Sequence, residues 1–256
     1  MNKEEKKIIV QKLLPAFIDG GNVSIKLRKK GLIKNMKSDN TPVTNGDIEV
    51  NNILIKKIAE ITPNILIVSE ENSANKKNKN LKDFWLIDPI DGTKDYINNK
   101  DEFTLNAALI LNKKPVIGII TAPAKKRVFY SYAMSNSYEL IDSKEIKLID
   151  NNKNHNEIKA VSYSNEIKPD ILAIHKKFKI SSSQRMKSSL KFCVVATGEF
   201  DLYVAEPRAC EWDIAAGHAI LIHAGGTITD FDNNPIIYGK KNFKNPSLIL
   251  KSKNIL

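Results

Sequence analysis

The stretch Phe84–Thr93, Phe-Trp-Leu-Ile-Asp-Pro-Ile-Asp-Gly-Thr, constrains this chain more than any other. Four apolar residues in a row predict a short buried strand, and the chain then delivers two carboxylates, Asp88 and Asp91, separated by one proline and one isoleucine. Pro89 fixes its own φ and restricts Asp88, while Gly92 lets a ligand approach the backbone with no Cβ between them. Such a loop is stiff. Thr93 stands where a helix beginning at Lys94-Asp95-Tyr96 would be capped, so Gly92 and Thr93 can aim N–H groups at an anion. Carboxylates beside an anion site suggest a metal ion, and hard oxygen donors suit Mg²⁺ better than zinc, which takes His or Cys. Asp-Pro and Asp-Gly are also ordinary turn dipeptides, so a plain turn fits this segment too.

A chain of 256 residues allows one large domain or two closely packed halves, and 42% hydrophobic residues fit a soluble core. No run reaches the roughly 18 apolar residues of a spanning helix, because Leu105–Thr121 is interrupted by Asn112-Lys113-Lys114. Glu4 and Glu5 among the first lysines leave no signal-peptide apolar block, so the expected location is cytoplasmic, with the inner membrane face as a peripheral alternative. Cys193 and Cys210 stand in no metal-ligand spacing and read as small hydrophobes. The net charge of +11 points towards polyanions. Its lysines lie in scattered pairs such as Lys29-Lys30 and Lys125-Lys126 without aromatic interleaving, which favours a small phosphorylated substrate over a specific nucleic acid.

Residues 3–19 put Ile8, Ile9, Leu13, Leu14 and Phe17 on one helical face, with Gly20-Gly21 as the expected stop. Lys37–Val43 reads as an irregular loop. Thr44 and Asp47 have capping-box spacing ahead of a helix carrying Ile48, Ile53, Ile55 and Ile58, so Asp47 is a cap as readily as a catalytic acid. Ile65–Val68 predicts a buried strand ending at Glu70-Glu71, which could stand beside Asp88 if the two strands run parallel. A polar Asn/Lys loop over 72–82 is expected to be exposed and mobile. A hairpin of Phe103–Leu111 and Pro115–Thr121 follows, then strands at Arg127–Ala133 and Tyr138–Leu148. Asn and Lys accumulate over 135–155, where a boundary between subdomains 1–145 and 146–256 is expected. Beyond it the pattern alternates: strand Ile158–Ser162, helix Pro169–Phe178, helix Ser189–Thr197, strand Phe200–Val204 and a helix opened by Asp213, itself a normal capping residue. His218 and His223, five apart, do not share a ligand face.

Trp85–Thr93 and Trp212-Asp213-Ile214-Ala215-Ala216-Gly217 resemble the two signatures of the inositol-monophosphatase superfamily. Within it, Thr41-Pro42-Val43-Thr44 with Asp47, Asp91–Tyr96, Glu102–Asn106, Ser188-Ser189-Leu190-Lys191-Phe192-Cys193 and Glu211-Trp212-Asp213 resemble the 3′(2′),5′-bisphosphate nucleotidases of the CysQ type. The resemblance implies a layered αβαβα sugar-phosphatase fold, in the α/β class, with mixed sheets between helix layers. It implies hydrolysis of 3′-phosphoadenosine 5′-phosphate to AMP and phosphate, in sulfate assimilation or nucleotide recycling, with two or three Mg²⁺ ions and inhibition by lithium. By the same resemblance Glu70, Asp88, Asp91, Asp213 and the Ile90 carbonyl are metal ligands, and Asp47 and Thr93, with Glu70, are catalytic. Glu70, Ile90, Asp91, Gly92, Thr93, Lys191 and Asp213 would face the substrate, and Lys37 matches a loop lysine near the metals. Two positions depart from the branch: Lys187 stands where glycine is usual, and Ser162-Tyr163-Ser164-Asn165 lacks the usual arginine and histidine. An inositol or other sugar phosphate is therefore a second expected substrate class, and an RNA-binding or regulatory protein on the same fold a third reading. A monomer or homodimer is expected.

Overall fold

The computed structural model describes residues 1–71, 74–78, 80–142, 144–150 and 157–255. Helix α1 (Lys3–Lys30) opens on an Asn2–Glu5 capping box and continues through Gly20-Gly21 to Gly31, ten residues beyond the stop expected from the sequence. The glycines serve packing instead. A Cβ on Gly20 would lie 3.2 Å from Leu105 Cδ2, and one on Gly21 3.1 Å from Pro123 Cγ, so a side chain at either position would crowd the helix against the sheet. Ile9, Val10, Leu13 and Phe17 form its buried face, while Ile8 points outward. A small hairpin, β1 (Lys34–Met36) and β2 (Pro42–Thr44), takes up part of the segment expected to be irregular, with Lys37 in its turn. Helix α2 (Asn45–Ile61) buries Val50, Leu54 and Ile58 at a spacing of four, leaving Ile48 exposed.

A seven-stranded sheet forms the centre: β3 (Leu66–Ser69), β4 (Phe84–Asp91), β5 (Thr104–Leu111), β6 (Lys114–Ala122), β7 (Arg127–Ala133), β8 (Asn136–Ile141) and β9 (Lys144–Lys147), in that order. Only the β3–β4 pair is parallel. Both faces of β4 are covered, which is why its sequence is a continuous apolar run rather than an alternation. Trp85 and Ile87 point to α1 and α2, and the indole N–H of Trp85 donates to Thr62 Oγ1 at 3.0 Å. Phe84 and Leu86 point the other way, into a core shared with α5 (Leu190–Ala196) and α6 (Glu211–His223).

The second sheet has the order β11 (Ser182–Arg185), β10 (Lys159–Ser162), β12 (Leu202–Ala205), β14 (Leu248–Lys251), β13 (Thr227–Thr229). Helix α4 (Pro169–Lys177) covers its far face, where Ile171 and Ile174 pack on Leu202 and Val204. The layers are therefore α1/α2, sheet, α5/α6, sheet, α4. The seven-stranded sheet ends at β9 and the other begins at β10; the Asn-Asn-Lys-Asn-His run at the expected boundary lies outside the described residues. Helix α6 is apolar all round because it is sandwiched. A Cβ on Gly118 would meet Ala216 O at 2.3 Å, and one on Gly217 would meet the Phe192 ring at 2.4 Å, so both contacts need glycine. These approaches set the start of α6 beside the end of β4. No helix among the described residues is long and apolar enough to cross a membrane.

Candidate active site

Residues i and i+3 of a regular strand face opposite sides of its sheet, so Asp88 and Asp91 would diverge if β4 were regular. Instead Asp88 pairs with Asn106 and Asp91 with Thr104, three steps along one strand against two along the other. This one-residue bulge falls on Pro89-Ile90, where the proline has no N–H to give the ladder. It turns Ile90 into the α1/α2 core and leaves both acids on the α6 side. Parallel pairing with β3, extended by Glu70 N–H donating to Ile87 O at 3.0 Å, brings Glu70 alongside. Helix α6 supplies Asp213, which is the third residue of the helix and not its cap; Cys210 holds that position, and its N–H donates to Asp213 Oδ2 at 2.7 Å.

The acids perturb one another. Burial pushes Asp88 well above the carboxylate range, and the charges of Glu70, Asp91 and Asp213 add to the rise. Asp213 is pushed up to about 8 by burial and then by Asp91 and Glu70. Burial also raises Asp91, against the pull of Lys191 and a hydrogen bond from Ser189. Asp88 Oδ1 is buried with no hydrogen-bond partner among the described residues. Four oxygen-donor acids that repel one another, one with an orphaned oxygen, are a donor set a hard divalent cation would relieve. Among the described residues no three such side chains are gathered into a ready-made metal cage. The fit therefore rests on donor type and electrostatics.

Asp47 is both cap and site residue. Its Oδ2 accepts from Thr44 N–H at 2.8 Å and Thr44 Oγ1 at 2.6 Å, closing the expected capping box, while Oδ1 lies 3.1 Å from Thr93 Oγ1. Thr93 Oγ1 also lies 3.1 Å from Ile90 O, so its single proton chooses between the two acceptors. Burial raises Asp47 against these hydrogen bonds. Thr93 begins α3 (Thr93–Ile97) after Gly92, whose φ of 94° is left-handed and whose Cβ would meet Glu102 O at 3.1 Å. Lys37 Nζ donates to Glu70 Oε1 at 2.9 Å and Glu71 Oε1 at 2.7 Å. Burial draws the ammonium down, but the two glutamates outweigh it and hold Lys37 above its ordinary value. Burial in turn pushes Glu71 up to about 7. In the polar loop, expected to be exposed, Lys76 is half-buried, its Nζ 4.9 Å from the Trp212 ring centre.

The opposite wall comes from the start of α5. Ser188 has a left-handed φ of 54°, a strained turn that delivers Ser189 and Lys191 to Asp91. Ser189 Oγ stands 2.6 Å from Asp91 Oδ2 and also contacts Asp213 O, and Asn106 Nδ2 donates to it at 2.9 Å. Ser189 and Asn106 carry no role in the sequence reading, although both lie in its quoted motifs. Lys191 is buried, its ammonium drawn down by burial to about 8 against the charge of Asp91. Asp91, Ser189, Lys191, Asp213, Tyr163 and Arg208 line a cavity of about 60 Å³, and Tyr163 and Arg208 also line a second cavity of about 570 Å³. Every residue singled out from the sequence as catalytic, metal-binding or substrate-facing thus lies around this one centre. His218 does not: its Nδ1 pairs with Tyr238 Oη at 2.9 Å inside the core.

A family model described as the inositol monophosphatase family matches residues 6–254. The chain is similar to the 3′(2′),5′-bisphosphate nucleotidase CysQ of Buchnera aphidicola, at 37% identity over 205 residues, covering 79% of this chain and 76% of that protein. It is similar to the CysQ of Aggregatibacter actinomycetemcomitans at 33% identity over 224 residues, 84% of this chain and 82% of that one. Among solved structures, CysQ from Bacteroides thetaiotaomicron superposes with a TM-score of 0.76 at 27% identity, covering 95% of this chain and 96% of that one.

Proposed function

The chain belongs to the inositol monophosphatase family, and from that premise we propose that it is a Mg²⁺-dependent 3′(2′),5′-bisphosphate nucleotidase, hydrolysing 3′-phosphoadenosine 5′-phosphate to AMP and phosphate. The observation that carries this reading is the bulge in β4, which sets Asp88 and Asp91 on one side, against Glu70 and Asp213 and beside the Asp47–Thr93 pair. Glu70, Asp88, Asp91, Asp213 and the Ile90 carbonyl would hold the metal, as two or three ions. Bound Mg²⁺ lowers the pKa of a water and offsets charge on the phosphate. Thr93 Oγ1 donates to Asp47 Oδ1 and accepts a hydrogen bond from the attacking water, fixing its direction. As the water oxygen bonds to phosphorus and the 3′ P–O bond breaks, the water's proton passes through Thr93 to Asp47, whose raised pKa makes it the stronger base, and the departing 3′ oxygen takes a proton from solvent to become the hydroxyl of AMP. The Gly92 and Thr93 N–H groups hold phosphate oxygens. Subdomain 1–145 supplies all of these groups except Asp213, which comes with Lys191 from 146–256.

The experiment is phosphate release from 3′-phosphoadenosine 5′-phosphate with Mg²⁺, with chelator, with lithium, and in Asp88→Asn. The expected result is Mg²⁺-dependent, lithium-inhibited turnover that falls by several orders of magnitude in a folded Asp88→Asn protein. Near-normal turnover in Asp88→Asn, or in chelator, overturns the metal assignment.

A further inference from the structure

Asn106 places an amide where β5 otherwise turns apolar side chains towards α5 and α6. It is fully buried, and Ala108 and Ile110, two and four residues on along the same face, belong to the core shared with those helices. Asparagine is a poor strand former, and a buried amide costs stability unless its groups are hydrogen-bonded. Here the amide is bonded through its nitrogen. Nδ2 donates to Ser189 Oγ at 2.9 Å, while Oδ1 has no partner among the described residues. Nor does the amide serve Asp88, its partner across the β4–β5 ladder, whose Oδ1 is likewise without one.

Ser189 Oγ is a junction between elements. It stands at the start of α5, lies 2.6 Å from Asp91 Oδ2 on β4, and contacts Asp213 O on α6. A hydroxyl has one proton and two lone pairs. The Asn106 N–H takes a lone pair, so the proton has to point at Asp91 or at the Asp213 carbonyl. Of the two, a carboxylate oxygen is the stronger acceptor. Asp91 Oδ2 is thereby held by a hydroxyl that is itself held by β5, which fixes the rotation of the carboxylate.

We propose that Asn106 is a positioning residue: by donating to Ser189 it aims that hydroxyl proton at Asp91 and fixes how the carboxylate is presented to a divalent cation. This rests on the reading of Asp91 as a metal ligand. Asn106 touches no reacting atom, and its effect reaches the cation through Ser189. The unpaired Oδ1 of Asp88 belongs to the same arrangement, since an amide nitrogen turned to Ser189 leaves that oxygen to a cation.

The test uses Asn106→Leu, close in shape and suited to the apolar face, with Ser189→Ala and the double variant. In calorimetric titration, Mg²⁺ binds about 10-fold more weakly to Asn106→Leu, the lower end of what an outer hydrogen-bond partner of a ligand contributes. In the Ser189→Ala background the same substitution changes nothing further. A loss that adds in full to that of Ser189→Ala overturns the proposal, because the amide then acts by another route. So does unchanged Mg²⁺ affinity, whether or not urea unfolding in chelator shows lower stability, since that is the pattern of a merely structural residue. A metal-free arm keeps this failure apart from failure of the metal reading. Proton NMR in chelator shows the Ser189 hydroxyl proton, buried and bonded to a carboxylate, as a downfield signal missing from Ser189→Ala; in Asn106→Leu it moves upfield and exchanges faster. If wild type binds no Mg²⁺, the metal reading fails and this signal still decides the role of Asn106. A signal absent from wild type, or unchanged in Asn106→Leu, refutes it.

Discussion

The acidic centre sets function against stability, and Asp213→Asn exposes the conflict. Asparagine keeps the shape and an oxygen for the Cys210 N–H, so the first turn of α6 retains its hydrogen bond. What it removes is an acid pushed up to about 8 by burial, with the charges of Asp91 and Glu70 behind it. An acid raised on folding costs nothing below its unfolded pKa and takes away progressively more stability as the pH climbs towards the folded value. Between pH 5 and pH 7.5 that cost grows by roughly 3 kcal/mol at about 1.4 kcal/mol per unit. Asp213 is only half-buried, and screening at the open face of the site reduces the expected difference to about 2 kcal/mol. Urea unfolding in chelator at the two pH values measures it. The advantage of Asp213→Asn over wild type should widen by about that amount on going to pH 7.5, while its activity in Mg²⁺ collapses. An advantage that does not change with pH, or a variant less stable than wild type at pH 7.5, refutes the account of mutual repulsion.

Thr93→Ala removes the hydroxyl between Asp47 and Ile90 O and should lower kcat about 100-fold or more with little change in KM, the range of a lost proton-transfer partner. Ser189→Ala takes away a donor to Asp91 and should weaken Mg²⁺ activation about 10- to 100-fold, read from the Mg²⁺ dependence of turnover. Gly217→Ala drives a methyl group into the Phe192 ring and should cost about 1–3 kcal/mol in chemical denaturation, separating α5 from α6 and so Lys191 from Asp213.

The acids were legible in the sequence because each follows a short apolar strand or opens a helix, and Glu70 falls beside Asp88 because β3 and β4 are parallel, one of the arrangements the sequence allowed. The bulge was not legible, since it exists only in the register between β4 and β5 and that register is set by both covered faces. Gly20-Gly21 read as a helix stop because glycine usually ends a helix; here the close approach to Leu105 and Pro123 decides, which only the packed sheet reveals. Asp213 read as a cap, and the hydrogen bond from Cys210 places the cap three residues earlier. Tyr163 and Lys187 were visible only as separate departures from a pattern. Their meeting at Arg208 depends on the β10–β11 pairing and the turn into α5, contacts that no local spacing encodes.

The proposed nucleotidase function requires the acidic centre to prefer a bisphosphorylated nucleoside over a sugar phosphate. Side-by-side kcat/KM values for 3′-phosphoadenosine 5′-phosphate and inositol 1-phosphate in Mg²⁺ test it most directly. Strong preference for the nucleotide is the predicted result. Preference for the inositol ester, or no phosphate release from either, contradicts it.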